Sequence, residues 1–193
     1  MLNVFAHIAG PTGSGKSTLA KRLSKNYPNI IFKDLDDIYR SLPEEFPEDF
    51  QKMNKQEFYK TFYTKSLQKF IDTTNQKIIF VGFNGFSFEK DFSDAIYYDI
   101  NAEHKYFIDI DKEIVLKRRF ERHLSFMANN VDRYFKKALD NNSKLIIDLD
   151  LWRKKINRPY EDKHYHNNNY KFMDNDAIYE ELSINIQRIL IDK

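Results

Sequence analysis

The chain has 193 residues with 31 Lys and Arg against 29 Asp and Glu, and its formal net charge of +2 argues against binding to DNA or to a membrane mainly through bulk charge. Its length suits one well-buried domain spanning residues 1–193, and its hydrophobic content of 41% argues against disorder. Cysteine is absent, no apolar run approaches the length of a membrane span, and the N-terminus lacks a signal peptide, so we expect a cytoplasmic protein without disulfides or a membrane partner.

The strongest motif lies near the N-terminus. Residues 10–17 read Gly-Pro-Thr-Gly-Ser-Gly-Lys-Ser and fit the pattern G-x-x-x-x-G-K-[ST] of a phosphate-binding loop, or P-loop. The apolar run Val4–Ala9 predicts a buried strand before the loop. Leu19 and Leu23 lie on one helical face and predict a helix after it, which ends at Tyr27. Strand, glycine-rich loop and helix form the context that this motif needs.

Each residue type of the motif suits a polyphosphate. Glycines allow backbone N–H groups to turn toward the phosphates, and the helix N-terminus adds the positive end of its dipole. Lys16 would reach the β- and γ-phosphates, and the Ser17 hydroxyl would be a Mg²⁺ ligand. We therefore expect ATP and Mg²⁺ as cofactors, with nucleotide contacts from Gly10, Pro11, Thr12, Gly13, Ser14, Gly15, Lys16, Ser17 and Thr18.

Three aspartates follow the second predicted strand, which covers residues 29–33. Ligands of a parallel sheet bind at the carboxyl ends of the strands, so these carboxylates can face the phosphates. Asp36 is the candidate that orients and deprotonates an acceptor hydroxyl, and Asp34 is the candidate partner of Mg²⁺ or its water shell. The alternative for Asp36 and Asp37 is a helix N-cap or a solvated turn, because Asp is common at caps.

Residues 41–71 are predicted to contain a segment interrupted by prolines and then a helix. Residues 41–53 contain two prolines and predict a loop or a broken helix. Asn54 and Glu57 resemble a capping box and predict the start of a helix. One face of that helix carries an apolar stripe that we expect in the core: Phe58, Tyr59, Phe62, Tyr63, Leu67, Phe70 and Ile71.

Two more strands are predicted at 77–82 and 105–110. Asp111 can cap a helix on which Ile114 and Val115 face inward. A group of arginines follows on this helix, with spacings of three and four residues that bring their side chains together. Guanidinium groups bind phosphate oxygens and stabilise a transferring phosphoryl group, so the candidates for this role are Arg118, Arg119 and Arg122.

The alternative for these arginines is a solvated basic face paired with Glu113 and Glu121. His7, within the first strand, is interpreted as a hydrogen-bonded core histidine. His164 and His166 fit a solvated polar loop better than a metal site.

The pattern after Leu124 is weaker. It favours helices over 131–139 and 149–156, a polar loop over 164–170 and a short strand over 170–173. Asp176 opens a last helix whose inward face would carry Ile178, Leu182, Ile186, Ile189 and Leu190.

Strands alternate with helices along the whole chain. This order predicts an α/β protein with the three-layer P-loop NTPase fold, a parallel sheet of about five strands covered by helices, and a helical lid. The lid and the acceptor-binding insertions would lie within 41–75 and 118–170.

Several of these pieces together resemble the P-loop nucleoside and nucleotide kinases, most of all the uridine kinase and nicotinamide riboside kinase branch. They are the P-loop, the Asp-Asp-Ile-Tyr at 36–39, and the strand at 106–109 that leads to Arg-Arg-Phe-Glu-Arg at 118–122. The resemblance extends from the N-terminus to about Arg122 and includes the last helix. It implies transfer of the γ-phosphoryl group of ATP to a hydroxyl or phosphate of a small molecule, with Asp36 as the catalytic carboxylate and the arginines in a mobile lid.

One residue departs from that family. Its members usually end the third strand in Glu-Gly, where this chain has Val81 and Gly82. Either Asp34 supplies the carboxylate for Mg²⁺ from the second strand, or the activity is impaired. Shikimate kinases resemble the chain in another way, since a D-x-D like residues 34–36 serves metal and acceptor there.

Three other functions remain open. Polynucleotide 5′-hydroxyl kinases resemble residues 36–40, although a nucleic-acid groove should be more basic than this chain. A tRNA prenyltransferase resembles residues 10–16, but such enzymes are longer and their Asp-Ser-x-Gln-x-Tyr is incomplete here. The third is a nucleotide-binding protein without turnover, because Val81 occupies the position where the resembling kinases usually have a glutamate.

Overall fold

A computed structural model describes residues 3–87, 95–132 and 163–191 of the chain. The strands in these ranges are β1 (Val4–Ala9), β2 (Ile31–Asp34), β3 (Ile78–Val81), β4 (Gly85–Phe86), β5 (Ile96–Tyr97), β6 (His104–Ile108) and β7 (Lys171–Met173). Five of them form the main sheet, which is parallel and has the order β2-β3-β1-β6-β7. The other two, β4 and β5, form a separate antiparallel pair. The expected α/β fold with a parallel sheet of about five strands is confirmed.

Helices pack on both faces of the main sheet. Within the described ranges, no helix is both long and apolar enough to cross a membrane. The helices described are α1 (Lys16–Asn26), α2 (Leu35–Glu45), α3 (Pro47–Lys52), α4 (Lys55–Thr73), α5 (Lys112–Ala128), α6 (Lys163–Asn167) and α7 (Asn175–Ile191).

The alternation of side chains along β3 divides the core into two layers. Ile78 and Phe80 pack in a cluster with apolar residues of α2 and α4. Ile79 and Val81 point to the opposite face and pack with residues of α1 and α7. All four side chains are buried, as expected for a strand covered on both faces. The two layers hold the carboxyl ends of the central strands in place.

The segment between β2 and β3 folds mainly as predicted. Residues 41–53 form a broken helix, because α2 continues to Glu45 and α3 begins at Pro47. The side chain of Asn54 caps α4 by accepting from the backbone N–H of Glu57 at 2.9 Å. The predicted stripe on α4 is buried up to Leu67, and Phe70 and Ile71 are partly buried beside it.

Several predictions near the C-terminal half were wrong. Ile114 and Leu190 are 46% and 44% exposed, so each lies at the edge of its helix face rather than in the core. The predicted loop over 164–170 begins with the short helix α6, whose Tyr165 is buried. Asp174, two residues before the predicted Asp176, caps α7 by accepting from Ala177 N at 2.8 Å. The predicted helix 149–156, and all but two residues of 131–139, lie outside the described residues.

Candidate functional site

The carboxyl ends of β1, β2 and β3 open into a cleft of about 870 Å³. The P-loop follows β1, Asp34 ends β2 and Gly82 follows β3, so three neighbouring strands bring these residues to one place. The cleft is lined by most of the predicted site residues: Gly10, Thr12, Gly13, Gly15, Lys16, Ser17, Thr18, Asp34, Asp36, Arg118, Arg119 and Arg122. Of the predicted nucleotide contacts, Pro11 and Ser14 do not line it.

The P-loop has the backbone that its glycines permit. Gly13 and Gly15 have φ angles of 94° and 96°, in the region that side chains with a Cβ rarely adopt. A Cβ on Gly15 would lie only 3.1 Å from Nδ2 of Asn175. Gly15 is also the N-cap of α1, and no side chain caps that helix. The N-terminus of α1 therefore presents backbone donors toward an anion at the loop.

Lys16 closes the P-loop on itself. Its Nζ donates to the carbonyl oxygens of Gly10 and Pro11, at 2.8 Å in each case. Burial lowers the pKa of Lys16 to about 8, and the nearby carboxylates of Asp36 and Asp34 oppose this shift. The ammonium group is thus cationic at neutral pH and is held within reach of both the loop and the two aspartates.

Two arginines of α5 contact the tip of the P-loop. Nε of Arg119 donates to the carbonyl of Thr12 at 2.7 Å, and Nη1 of Arg118 donates to the carbonyl of Gly13 at 3.3 Å. These side chains and Arg122 line the cleft above the loop. Guanidinium groups at this distance from a phosphate-binding loop can pair with phosphate oxygens after a change of rotamer.

The aspartates after β2 have different environments. Oδ1 of Asp34 accepts from the N–H of Asp36 at 3.0 Å, so the N-cap of α2 is Asp34, not Asp36 or Asp37. Burial raises the pKa of Asp34, and the hydrogen bond from Asp36 N opposes this shift. The Asp36 carboxylate is exposed and lies 3.6 Å from Arg40. Asp36 lines the cleft and Asp37 does not, so the two residues can be told apart by position.

One end of the cleft consists mostly of residues that were not predicted as site residues. We call it the acceptor end, after the role proposed for it below; it consists of Asp36, which was predicted, Tyr39 and Arg40 of α2 and the segment 83–87, of which Phe83, Gly85, Phe86 and Ser87 line the cleft. Tyr39 stacks on Tyr59 of α4 with ring centroids 4.2 Å apart. A Cβ on Gly85 would overlap the carbonyl oxygen of Ile96 in the partner strand. In the sequence, the only local sign that the chain turns at this segment is a pair of glycines, at positions 82 and 85.

The other end of the cleft lies between α1 and α7. Nη1 of Arg22 forms an ion pair with Asp176 at 2.7 Å, and Nδ2 of Asn175 donates to the carbonyl of Ser14 at 2.8 Å. Arg22, Asn175 and Asp176 all line the cleft, and none was predicted as a site residue. Their contacts connect the start of the last helix to the P-loop.

Val81 does not face the cleft. Its side chain is 3% exposed and packs with Leu19 of α1 in the apolar layer between the sheet and α7. A glutamate at this position would place a carboxylate among the apolar side chains of that layer, where its desolvation is costly. The end of β3 therefore provides no place for a metal-binding carboxylate at residue 81.

Val81→Glu should lower the free energy of unfolding by at least ~2 kcal/mol, because it buries a carboxylate among apolar side chains. Denaturant unfolding of the purified variant measures this change. Val81→Thr, which keeps the shape and replaces one methyl group by a hydroxyl, should be less destabilising than Val81→Glu. A Val81→Glu protein as stable as the wild type would show that residue 81 can reach solvent.

His7 is a core histidine, as interpreted from the sequence. It is fully buried, with Nε2 3.1 Å from the carbonyl of Gly82 and Nδ1 2.5 Å from the hydroxyl of Tyr170. A carbonyl only accepts, so Nε2 carries the proton and Nδ1 accepts from Tyr170. Burial lowers the pKa of His7 to about 3, and the neutral ring connects β1 to Gly82, the residue before the 83–87 segment.

Comparison with known proteins finds similar folds only. No protein-family model and no curated protein matches the chain. A shikimate kinase from Bacteroides thetaiotaomicron is 14% identical, with 98% of this chain and 99% of that chain aligned and a TM-score of 0.44. A shikimate kinase from Aquifex aeolicus is 16% identical, with 98% of this chain and 100% of that chain aligned and a TM-score of 0.43. A gluconokinase from Sinorhizobium meliloti is 10% identical, with 61% of this chain and 63% of that chain aligned and a TM-score of 0.34.

These three structural neighbours are named as kinases, but likenesses this distant carry no information on the reaction or the acceptor of this protein. The closer resemblance to the uridine kinase and nicotinamide riboside kinase branch stays a prediction. The function must be argued from the side chains in the cleft.

Proposed function

We propose that this protein is a P-loop kinase that transfers the γ-phosphoryl group of ATP to a hydroxyl or phosphate of a small molecule. One observation carries the proposal. The P-loop, the exposed carboxylate of Asp36 and the arginines of α5 line the same cleft, although they come from three separate parts of the chain. Phosphoryl transfer needs a phosphate cradle, a carboxylate at the acceptor and cations at the transferring group.

The donor set fits ATP with Mg²⁺. The uncapped N-terminus of α1 and the cation of Lys16 suit the phosphates. The Ser17 hydroxyl and the Asp34 carboxylate both line the cleft, and oxygen atoms of this kind are the ligands that Mg²⁺ takes. When bound, the ion would neutralise charge on the phosphates.

Asp36 is the proposed base. Its carboxylate is exposed and lines the cleft, and it lies 3.6 Å from Arg40 on the next turn of α2. It would accept the proton of an acceptor hydroxyl while Arg118, Arg119 and Arg122 stabilise the charge on the transferring group.

The acceptor end favours a nucleoside or nucleotide as the acceptor. Tyr39 and Phe83, both partly exposed, line it with aromatic rings, and flat rings pack well against a base. Arg40 adds a cation that suits a phosphate on the acceptor. Aromatic side chains and a cation next to the proposed base support this class of substrate.

An ATP-consumption screen tests the proposal. The panel contains nucleosides, nucleotides, small hydroxy acids and oligonucleotides with a 5′-hydroxyl, and Lys16→Ala protein is the control for contaminating activity. Turnover with a nucleoside or nucleotide that the control lacks is the expected result. Turnover with the oligonucleotides alone would identify a polynucleotide kinase, and binding of Mg·ATP without any turnover would support a nucleotide-binding protein without catalysis.

Asp34 has two proposed roles that substitutions can separate. Asp34→Asn keeps a capping oxygen and removes the charge, whereas Asp34→Ala removes both. Both variants should need more Mg²⁺ for half-maximal activity, because the ion loses a carboxylate. Only Asp34→Ala should also lose about 1 kcal/mol of unfolding free energy, since the cap of α2 is gone.

The measurements are the Mg²⁺ dependence of turnover and denaturant unfolding of each variant. Asp37→Asn, three residues after Asp34 and outside the cleft, is the matched control. An unchanged Mg²⁺ requirement in both Asp34 variants would mean that the ion does not use this carboxylate.

A further inference from the structure

Asn84 lies directly behind the acceptor end of the cleft. Its neighbours Phe83 and Gly85 line the cleft, whereas Asn84 does not and is only 1% exposed. A buried amide needs its hydrogen bonds satisfied by the protein. The hydrogen-bond partners of Asn84 therefore determine the positions of its neighbours Phe83 and Gly85.

The partners of Asn84 are Tyr98, which directly follows β5, and two residues of α6. Nδ2 donates to the carbonyl of Tyr98 at 2.7 Å, and because a carbonyl only accepts, this contact defines the orientation of the amide. Oδ1 then accepts from the hydroxyl of Tyr165 at 2.9 Å, and Nδ2 lies 3.3 Å from Nε2 of His164. The N–H of Tyr98 donates to the carbonyl of Asn84 at 2.7 Å. One side chain thus connects the 83–87 segment to α6.

Aromatic contacts form a second connection. The ring of Tyr97 stacks on His164 with centroids 3.9 Å apart and planes at 15°, and it meets Phe83 edge to face at 5.2 Å. Tyr97 also pairs with Gly85 in the two-stranded sheet. Tyr165 is buried and packs against Phe107 of β6, so α6 is itself anchored on the main sheet.

We propose that His164 and Tyr165 are positioning residues for the acceptor: acting through Asn84, they hold the 83–87 segment in the geometry that the acceptor requires. Neither residue lines the cleft, so they act through the segment and not by contact with substrate. This inference rests on the proposed kinase function, since that function makes the segment part of the acceptor end.

The contact between Asn84 and His164 requires a neutral imidazole. Nδ2 of Asn84 and Nδ2 of Asn168 each donate to a carbonyl, so both are donors, and they lie 3.3 Å from Nε2 and 3.4 Å from Nδ1 of His164. A neutral ring can accept from only one of them, and the shorter contact is the one to Asn84. A protonated ring carries a proton on both nitrogens and would place a second donor against Nδ2. Protonation of His164 therefore breaks its contact with Asn84, while the hydrogen bond from Tyr165 remains.

The surroundings of His164 set the pH at which this happens. Burial lowers its pKa, Asp99 raises it, and Lys105 lowers it again. Lys105 and Asp99 form an ion pair at 3.1 Å, so their opposing effects partly cancel. Tyr97 covers one face of the ring, and Asn168 contacts its Nδ1 side at 3.4 Å. The pKa lies below the ordinary histidine value, so the contact is present at neutral pH and is lost as the pH falls through that lowered pKa.

Amide hydrogen exchange of the full chain tests the coupling without a known acceptor. Exchange of the amides in 83–87 is measured at about pH 5 and about pH 7 and corrected for intrinsic rates, with residues 10–18 of the P-loop as internal reference. In the wild type, exchange of 83–87 should be roughly three- to tenfold faster at the lower pH, the equivalent of one lost hydrogen bond.

Three variants sharpen the test. His164→Gln supplies a neutral acceptor at every pH and should abolish the pH effect, and Tyr165→Phe should speed exchange of 83–87 at both pH values. His166→Gln changes a histidine on the same helix that stacks on Phe172, and it should behave as the wild type. A wild type without a pH effect, or a His164→Gln protein with the same effect, overturns the proposal.

Kinetics with any acceptor found in the screen provide the second measurement. The KM for the acceptor should rise roughly three- to tenfold at the lower pH in the wild type and not in His164→Gln, while the KM for ATP stays the same in both. A pH effect that falls on the KM for ATP contradicts positioning of the acceptor end. If Mg·ATP binds but no acceptor is found, the kinase proposal fails, and the exchange experiment still decides whether α6 holds the 83–87 segment.

Discussion

Lys16→Ala should reduce phosphoryl transfer by roughly a hundredfold or more, because it removes a charge-assisted contact to the transferring phosphate. The Lys16 ammonium lies within the P-loop, 2.8 Å from two carbonyl oxygens that phosphate oxygens can replace as acceptors. Burial strengthens its interaction with a phosphate, since the local dielectric constant is lower than that of water. Steady-state turnover of Mg·ATP by the purified variant measures the loss.

Lys21→Ala is the matched control for this experiment. Lys21 lies on the same helix, is exposed and does not line the cleft, so its loss should leave turnover unchanged. The melting temperature of both variants should be recorded, because Lys16 also holds the P-loop together. Turnover by Lys16→Ala at the wild-type rate would contradict the assignment of the P-loop as the catalytic nucleotide site.

Asp36→Asn should lower kcat by about 10²- to 10⁴-fold and leave the affinity for Mg·ATP nearly unchanged. The substitution keeps the size of the side chain and its place beside Arg40, but an amide cannot take up the proton of an acceptor hydroxyl. Asp36 lies at the acceptor end and the proposed donor phosphates lie at the P-loop, so we expect turnover to depend on Asp36 far more than the affinity for Mg·ATP does. Calorimetry with a non-hydrolysable ATP analogue and kinetics of transfer separate the two effects.

Asp37→Asn is the control, since Asp37 is the next residue on the same helix and does not line the cleft. Its activity should match that of the wild type. If Asp37→Asn loses activity and Asp36→Asn keeps it, the base is one residue further along α2 than proposed.

Local patterns were sufficient for the elements around the P-loop. The apolar run before Gly10, the glycines and the leucine spacing each depend on residues close in sequence, and the structure has the strand and the helix where they were predicted. The cap at Asn54 was predicted for the same reason, because a capping side chain bonds to a backbone group three residues away.

Predictions from the sequence were poorer in polar segments and at residues that lie at the edge of the apolar face of a helix. Residues 164–170 contain two histidines and three asparagines, which resemble a loop, yet burial of Tyr165 against Phe107 and Tyr170 stabilises a short helix there. Ile114 was expected in the core, but the buried residue at the start of α5 is its neighbour Val115. Tertiary contacts outweigh local preference at such positions.

The sequence by itself determined that this chain has a strand, a phosphate-binding loop and a helix in succession, because each depends on short-range spacing and on glycine at particular positions. Only the tertiary structure decided that Asp34 caps α2 while Asp36 faces the cleft, and that Val81 points into the opposite layer. It also decided that the 83–87 segment, connected to α6 through Asn84, closes one end of the cleft. These features depend on which strand ends are neighbours in the sheet and on the side of the strand to which each side chain points. The residues in contact can be far apart in the chain, as Asn84 and Tyr165 are, at positions that differ by 81.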